Sequence, residues 1–145
     1  FGLLKGAVKD IVDSFDHTYT MWSKEAPKFK EFFRENSARW IEMPVSPSAE
    51  NLALILFALI DVIIDQTVFN NGEGHLTLAS VRVHETETGN AETNLEDVSD
   101  NRFPYEITDI IFSDAVKKDW KDPDMLDRIL SGGKIINPKV DRKYD

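Results

Sequence analysis

The order of elements along the chain predicts an α+β domain. Three observations carry this: an amphipathic helical pattern at the start, a long apolar helix with a start signal near residue 47, and β-branched alternation after residue 76. Leu4, Val8, Ile11 and Phe15 recur at helical spacing, with Lys5, Lys9, Asp10 and Asp13 between them. Phe29, Phe32 and Phe33 mark a second helix over residues 27–38, with Pro27 in the first turn where its missing N–H costs nothing. Residues 40–43 read as extended, and Pro44 blocks a helix there. Ser46-Pro47 then reads as a side-chain cap followed by proline at the first helical position, with Glu50 complementing the helix dipole. This helix continues through Ile64 and is apolar nearly all round, so it should be buried on more than one side.

Asn70-Asn71-Gly72-Glu73-Gly74 is a turn signal. Residues 77–88 favour a strand, Gly89-Asn90 would turn it, and a short strand over residues 91–95 pairs back. Beyond Val98 the texture changes. Ile107, Ile110 and Ile111 suggest one short element, and Asp122-Pro123 reads as the cap of a helix with Leu126, Ile129 and Leu130 on its apolar face. Gly132 stops that helix, and the last dozen residues read as a loose tail. The chain thus divides into residues 1–98 and an extension over 99–145. A solvent-facing appendage is the default for the extension, with edge-covering or assembly as the alternatives.

At 145 residues the chain is long enough to bury one core. Its formal charge of −9 repels phosphate backbones, which argues against nonspecific binding to nucleic acid or anionic membranes. With no cysteine there is no disulfide, thiolate zinc ligand or cysteine nucleophile in these residues, and the expected compartment is the cytoplasm. The longest apolar run, residues 52–60, is far short of the ~18 residues of a membrane span. The chain opens at Phe1 rather than methionine, which suggests a fragment, a processed product or a truncated reading frame.

Three segments carry chemistry, each with a plainer alternative. Asp16-His17 sits at a helix end, and an imidazole beside a carboxylate can move protons near neutral pH. The plainer alternative is a surface pair. Ser46-Pro47-Ser48-Ala49-Glu50-Asn51 offers N–H groups and hydroxyls at a helix start, which can hold a polar heterocycle or simply cap the helix. Val83-His84-Glu85-Thr86 places a carboxylate at a strand end, able to take two parallel hydrogen bonds from a 2-amino-pyrimidinone edge or merely to be solvated. His75 and His84 have no metal-ligand spacing and read as a turn and a strand residue.

Taken in order, Phe1-Gly2-Leu3-Leu4-Lys5, Phe15-Asp16-His17, Pro47-Ser48-Ala49-Glu50-Asn51 and Val83-His84-Glu85-Thr86 resemble the 6-pyruvoyl/6-carboxytetrahydropterin synthases over about residues 1–95. The resemblance implies a partial tunnelling fold: two strands, two antiparallel helices, then two strands. The helices lie on one face of an antiparallel sheet, and subunits join edge to edge, commonly as a homohexamer. That suits helices too apolar to stand alone and strands too few for a sheet.

The implied activity is a zinc-dependent lyase reaction on 7,8-dihydroneopterin triphosphate. Its product is either 6-carboxytetrahydropterin, on the queuosine (7-deazaguanine) precursor route, or 6-pyruvoyltetrahydropterin. By the same resemblance Asp16 orients His17, and His17 relays protons. Glu85 anchors the pterin ring, and Ser48, Ala49, Glu50 and Thr86 line its pocket, with sites formed between subunits. The zinc histidines and the catalytic cysteine are expected upstream of residue 1, so the chain alone should neither bind catalytic zinc nor turn over substrate. Ser48 stands where threonine is more usual, and the stretch over residues 21–44 is longer than in compact members. A non-catalytic pterin-binding protein and an assembly module are the alternatives outside catalysis.

Overall fold

The computed structural model describes residues 6–69, 76–84, 89–97 and 105–136. Helix α1, Ala7–Asp13, buries Val8 and Ile11. Strand β1, Tyr19–Trp22, lies parallel to β2, Trp40–Met43, and pairs Tyr19 with Trp40 and Trp22 with Met43. Parallel neighbours cannot be joined by a tight turn. The connection here carries α2, Pro27–Asn36, with proline in its first turn as anticipated.

Helix α3, Ala49–Asp65, is the centre of the molecule. Ala53, Ile55, Phe57, Leu59 and Ile63 are fully buried, and the buried positions run round more than one face. Its cap differs from the expectation. Ser48, not Ser46, is the N-cap, and its Oγ accepts a hydrogen bond from the Asn51 N–H at 3.2 Å. Pro47 therefore precedes the cap in extended backbone instead of opening the helix. Asn51 closes the arrangement by donating from Nδ2 to the Ser46 carbonyl at 2.8 Å.

Short strand β3, Thr67–Val68, follows α3. The hairpin of β4, Ser80–His84, and β5, Asn90–Asn94, is antiparallel, with His84 opposite Asn90. Residues 76–79 do not join the strand, so β4 starts later than the alternation suggested. Ala91 and Thr93 are the buried face of this hairpin, which packs on α3 as α1 does. The Asn70–Gly74 turn signal and the tail after residue 136 lie outside the described residues.

The segment after residue 98 corrects the sequence reading most. After the short helix α4, Leu95–Asp97, and a 3-10 turn at Ile107–Asp109 comes β6, Ile111–Phe112. β6 pairs antiparallel with β2, giving the sheet order β1-β2-β6. Helices α5, Asp114–Lys118, and α6, Met125–Leu130, follow, and β7, Ile135–Ile136, pairs parallel with β3. Phe112, Val116, Trp120, Met125, Leu126 and Ile129 share one core with α1, β2 and α3. Residues 105–136 are therefore no solvent-facing appendage: they cover the edge of β2 and fill the core.

Among the described residues the strands form three small sheets of mixed direction rather than one antiparallel sheet. The expected cap at Asp122-Pro123 is also displaced, because α6 starts at Met125 with Asp124 at its N-cap. Asp122 serves that turn from outside, accepting from the Asp124 N–H at 3.1 Å and pairing with Arg128. The helix stops as anticipated. Gly132 takes φ +96, and the N–H groups of Gly132 and Gly133 return to the carbonyls of Ile129 and Arg128, a double closure that favours glycine at the left-handed position.

One unfavourable charge is built into α3. Asp61 and Asp65 lie one turn apart at the helix end where the dipole disfavours anions, with no basic residue in the last turn. Burial, then the Asp65 charge, raises the Asp61 pKa above the ordinary aspartate value. The folded state thus holds this proton more tightly than the unfolded chain, so ionised Asp61 costs stability above the unfolded pKa and nothing below it. Because the side chain is only half-buried, Asp61→Asn is expected to stabilise the protein at pH 7 by only about 0.3 kcal/mol. Thermal melts should show that gain disappearing as pH falls below the aspartate range.

Candidate functional site

The turn bearing Asp16 and His17 is made by the way α1 ends. The N–H groups of Phe15 and Asp16 reach back to the carbonyls of Val12 and Asp13, tightening the chain out of the helix. His17 then takes φ +51, the one non-glycine residue with positive φ among the described residues. Thr18 Oγ donates to the Ser14 carbonyl at 2.6 Å and lies 2.9 Å from the Asp16 carbonyl, to which Arg39 Nη2 also donates at 3.4 Å. The backbone hydrogen bonds are made locally, and both side chains are left exposed. His17 Nε2 lies 3.7 Å from Asp16 Oδ1, with side-chain exposures of 90% and 76%. An imidazole placed this way beside a carboxylate and open to solvent can accept or deliver a proton to a ligand arriving from outside.

Three residues that the sequence did not single out hold the turn from beneath. Ser14 is buried; its Oγ donates to the Asp10 carbonyl and accepts from Trp120 Nε1, each at 2.7 Å. Trp120 is buried edge-on against Phe112, with centroids 5.1 Å apart. Arg39 forms an ion pair with Asp119, and the Lys121 N–H donates to Asp10 Oδ2 at 3.0 Å. A cleft of about 210 Å³ lies here, lined by Asp10, Asp13, Ser14, Arg39, Asp119 and Trp120. The one available signal was Trp120 itself, a lone large aromatic within a charged run.

The second segment opens α3. Ala49 is buried, Ser48 half-buried and Glu50 exposed in the first turn. Helix capping, the plainer alternative, does occur at Ser48, but the cap uses only an oxygen lone pair and leaves the hydroxyl proton for a ligand. No hydrogen bond or ion pair joins Ser48, Ala49 or Glu50 to Asp16 or His17. Glu85 and Thr86 lie outside the described residues, just past His84 at the end of β4.

Among the described residues no three His, Cys, Asp or Glu side chains come together as a metal site. They therefore do not fit the zinc ion that the resemblance implies. Nor is any helix among them long and apolar enough to cross a membrane.

The family model described as 6-pyruvoyl tetrahydropterin synthase matches residues 1–96, ending where the texture of the sequence changes. The 6-carboxy-5,6,7,8-tetrahydropterin synthase of Helicobacter pylori strain J99 is 36% identical over 136 residues, covering 92% of this chain and 68% of the relative. The protein of the same name from strain 26695 is 35% identical over the same shares. Both alignments extend well past residue 96, so the core-filling segment is shared with these relatives as well. On the family match and the identity together, the chain belongs to the 6-pyruvoyl tetrahydropterin synthase family.

Proposed function

We propose that this chain is part of a 6-carboxytetrahydropterin synthase, a cytoplasmic homo-oligomeric lyase acting on 7,8-dihydroneopterin triphosphate in the queuosine (7-deazaguanine) precursor route. The observation that carries the reading is the Asp16–His17 turn, exposed and held from below, inside a chain whose two relatives bear that synthase name. The family description favours the pyruvoyl product as the second reading. His17 relays the proton and Asp16 holds its ring in position. Ser48, Ala49 and Glu50 line the pterin pocket with Thr86, and Glu85 takes the two N–H groups of the pterin edge. In this reading the Asp16–His17 turn and the α3 start serve a pocket shared between subunits, in an assembly such as a hexamer. A zinc ion belongs to the same reading, with ligands outside the described residues.

The protein at its native length, incubated with dihydroneopterin triphosphate, is expected to give carboxytetrahydropterin, identified by mass. Glu85→Gln is expected to weaken pterin binding by about 2 kcal/mol, close to 30-fold, because one charge-assisted pair is lost. Unchanged affinity in a titration removes Glu85 as the anchor. Binding without turnover points to a pterin-binding protein of this family, and no binding at all to an assembly role.

A further inference from the structure

We propose that Arg39 is a positioning residue for His17, aligned in turn by Asp119, a proposal that rests on His17 being the proton relay. Residues 16–19 lead from the end of α1 into β1, and Arg39, just ahead of β2, grips both ends of that stretch. Its Nη2 donates to the Asp16 carbonyl at 3.4 Å, and its own carbonyl accepts from the Tyr19 N–H at 3.1 Å. His17 stands between those two points at φ +51. A non-glycine residue in that conformation persists only where its surroundings hold it there. The bonds from Thr18 and Ser14 run within the turn and back to α1, whereas Arg39 ties the turn to the strand beside it.

Arg39 is itself held. Ser37 Oγ donates to its carbonyl at 3.0 Å, and its Nη1 pairs with Asp119. The other acids lining the cleft are engaged elsewhere, Asp13 with Lys9 and Asp10 with the Lys121 N–H. Asp119 directly follows α5, and its N–H returns to the Val116 carbonyl at 3.1 Å. An ion pair whose acid is 68% exposed adds little to stability. What it supplies is direction. A guanidinium is a rigid planar fork, so Nη1 held by Asp119 leaves Nη2 facing the Asp16 carbonyl. A lysine ammonium in the same place can meet Asp119 but carries no second donor fixed toward the turn. Through this pair the segment after residue 98 reaches the candidate proton relay without touching it.

Kinetics and amide exchange on the native-length protein test this together. Arg39→Lys is expected to lower kcat about tenfold with KM within about twofold of the parent, because a small displacement of a reacting group is felt in the chemical step. Asp119→Asn, the milder change, should move kcat the same way by about threefold. In a His17→Ala background Arg39→Lys should cost nothing further, since the imidazole it acts through is gone. Exchange reads the clamp without turnover: in Arg39→Lys the Asp16 and Tyr19 amides should exchange about fivefold faster or more, with those of α3 unchanged. Faster exchange there in a protein that makes no carboxytetrahydropterin keeps the clamp and removes the synthase reading. The positioning role is overturned by an unchanged kcat in an active enzyme, by a loss carried in KM, by a loss that adds in full to that of His17→Ala, or by unchanged exchange at both amides.

Discussion

Trp120→Ala is expected to destabilise the protein by ~3–5 kcal/mol in urea unfolding. The ring is buried against Phe112, and its indole N–H donates to Ser14 at the end of α1. Against a domain stability of ~5–15 kcal/mol, that loss approaches the whole margin. Trp120→Phe separates packing from polar contributions. It keeps most of the volume and removes only the indole donor, so about 1 kcal/mol should go. The cost stays small because Ser14 Oγ retains the Asp10 carbonyl as acceptor. If Trp120→Ala loses less than about 1 kcal/mol, residues 105–136 do not belong to the cooperative core.

If the proposed activity holds, His17→Ala in the complete enzyme is expected to slow turnover ~100-fold or more without loss of the zinc that reading requires, since a positioned proton donor contributes at least that much. The backbone complicates the experiment. Alanine at φ +51 is strained by about 1 kcal/mol, whereas glycine is not. His17→Gly is therefore the sharper variant: it should match the alanine variant in rate and exceed it in thermal stability. A rate restored by glycine would mean that the turn conformation matters and the imidazole does not. Zinc lost in either variant would make His17 a metal ligand instead of a proton relay.

These two residues also show where the sequence was legible. Asp16-His17 stood out because a helical period stops beside them, and the structure puts the helix end at Asp13. The body of α3 was equally plain, since a 17-residue helix so rich in apolar residues has few other ways to be buried. Its first residue was harder to read. Ser46 and Ser48 both offer a capping hydroxyl, and the structure places the cap at Ser48, whose Oγ accepts from the Asn51 N–H, while Pro44 and Val45 stay buried ahead of the helix. Trp120 was missed for a different reason. It lies between helices five and six residues long, too short for any period to show, and they are helical because they lie on a core built elsewhere. The aromatic outer face of α2 escaped notice because a phenylalanine stripe ordinarily means core, and only the ion pairs to Glu42 reveal which side is inward.

The place of β2 in its sheet bears on how the chain folds during synthesis. One flank is covered by a strand about twenty residues earlier, the other only when residues 111 and 112 arrive some seventy residues later. While α3 and the hairpin are being made, β2 must wait with an open side, a standing invitation to the same strand on a neighbouring nascent chain. The buried Glu42 in the middle of that strand acts as a gatekeeper during the delay. A carboxylate on a waiting edge repels its own image, and the attraction of Lys30 and Arg34 favours the crossover helix over any intermolecular rival.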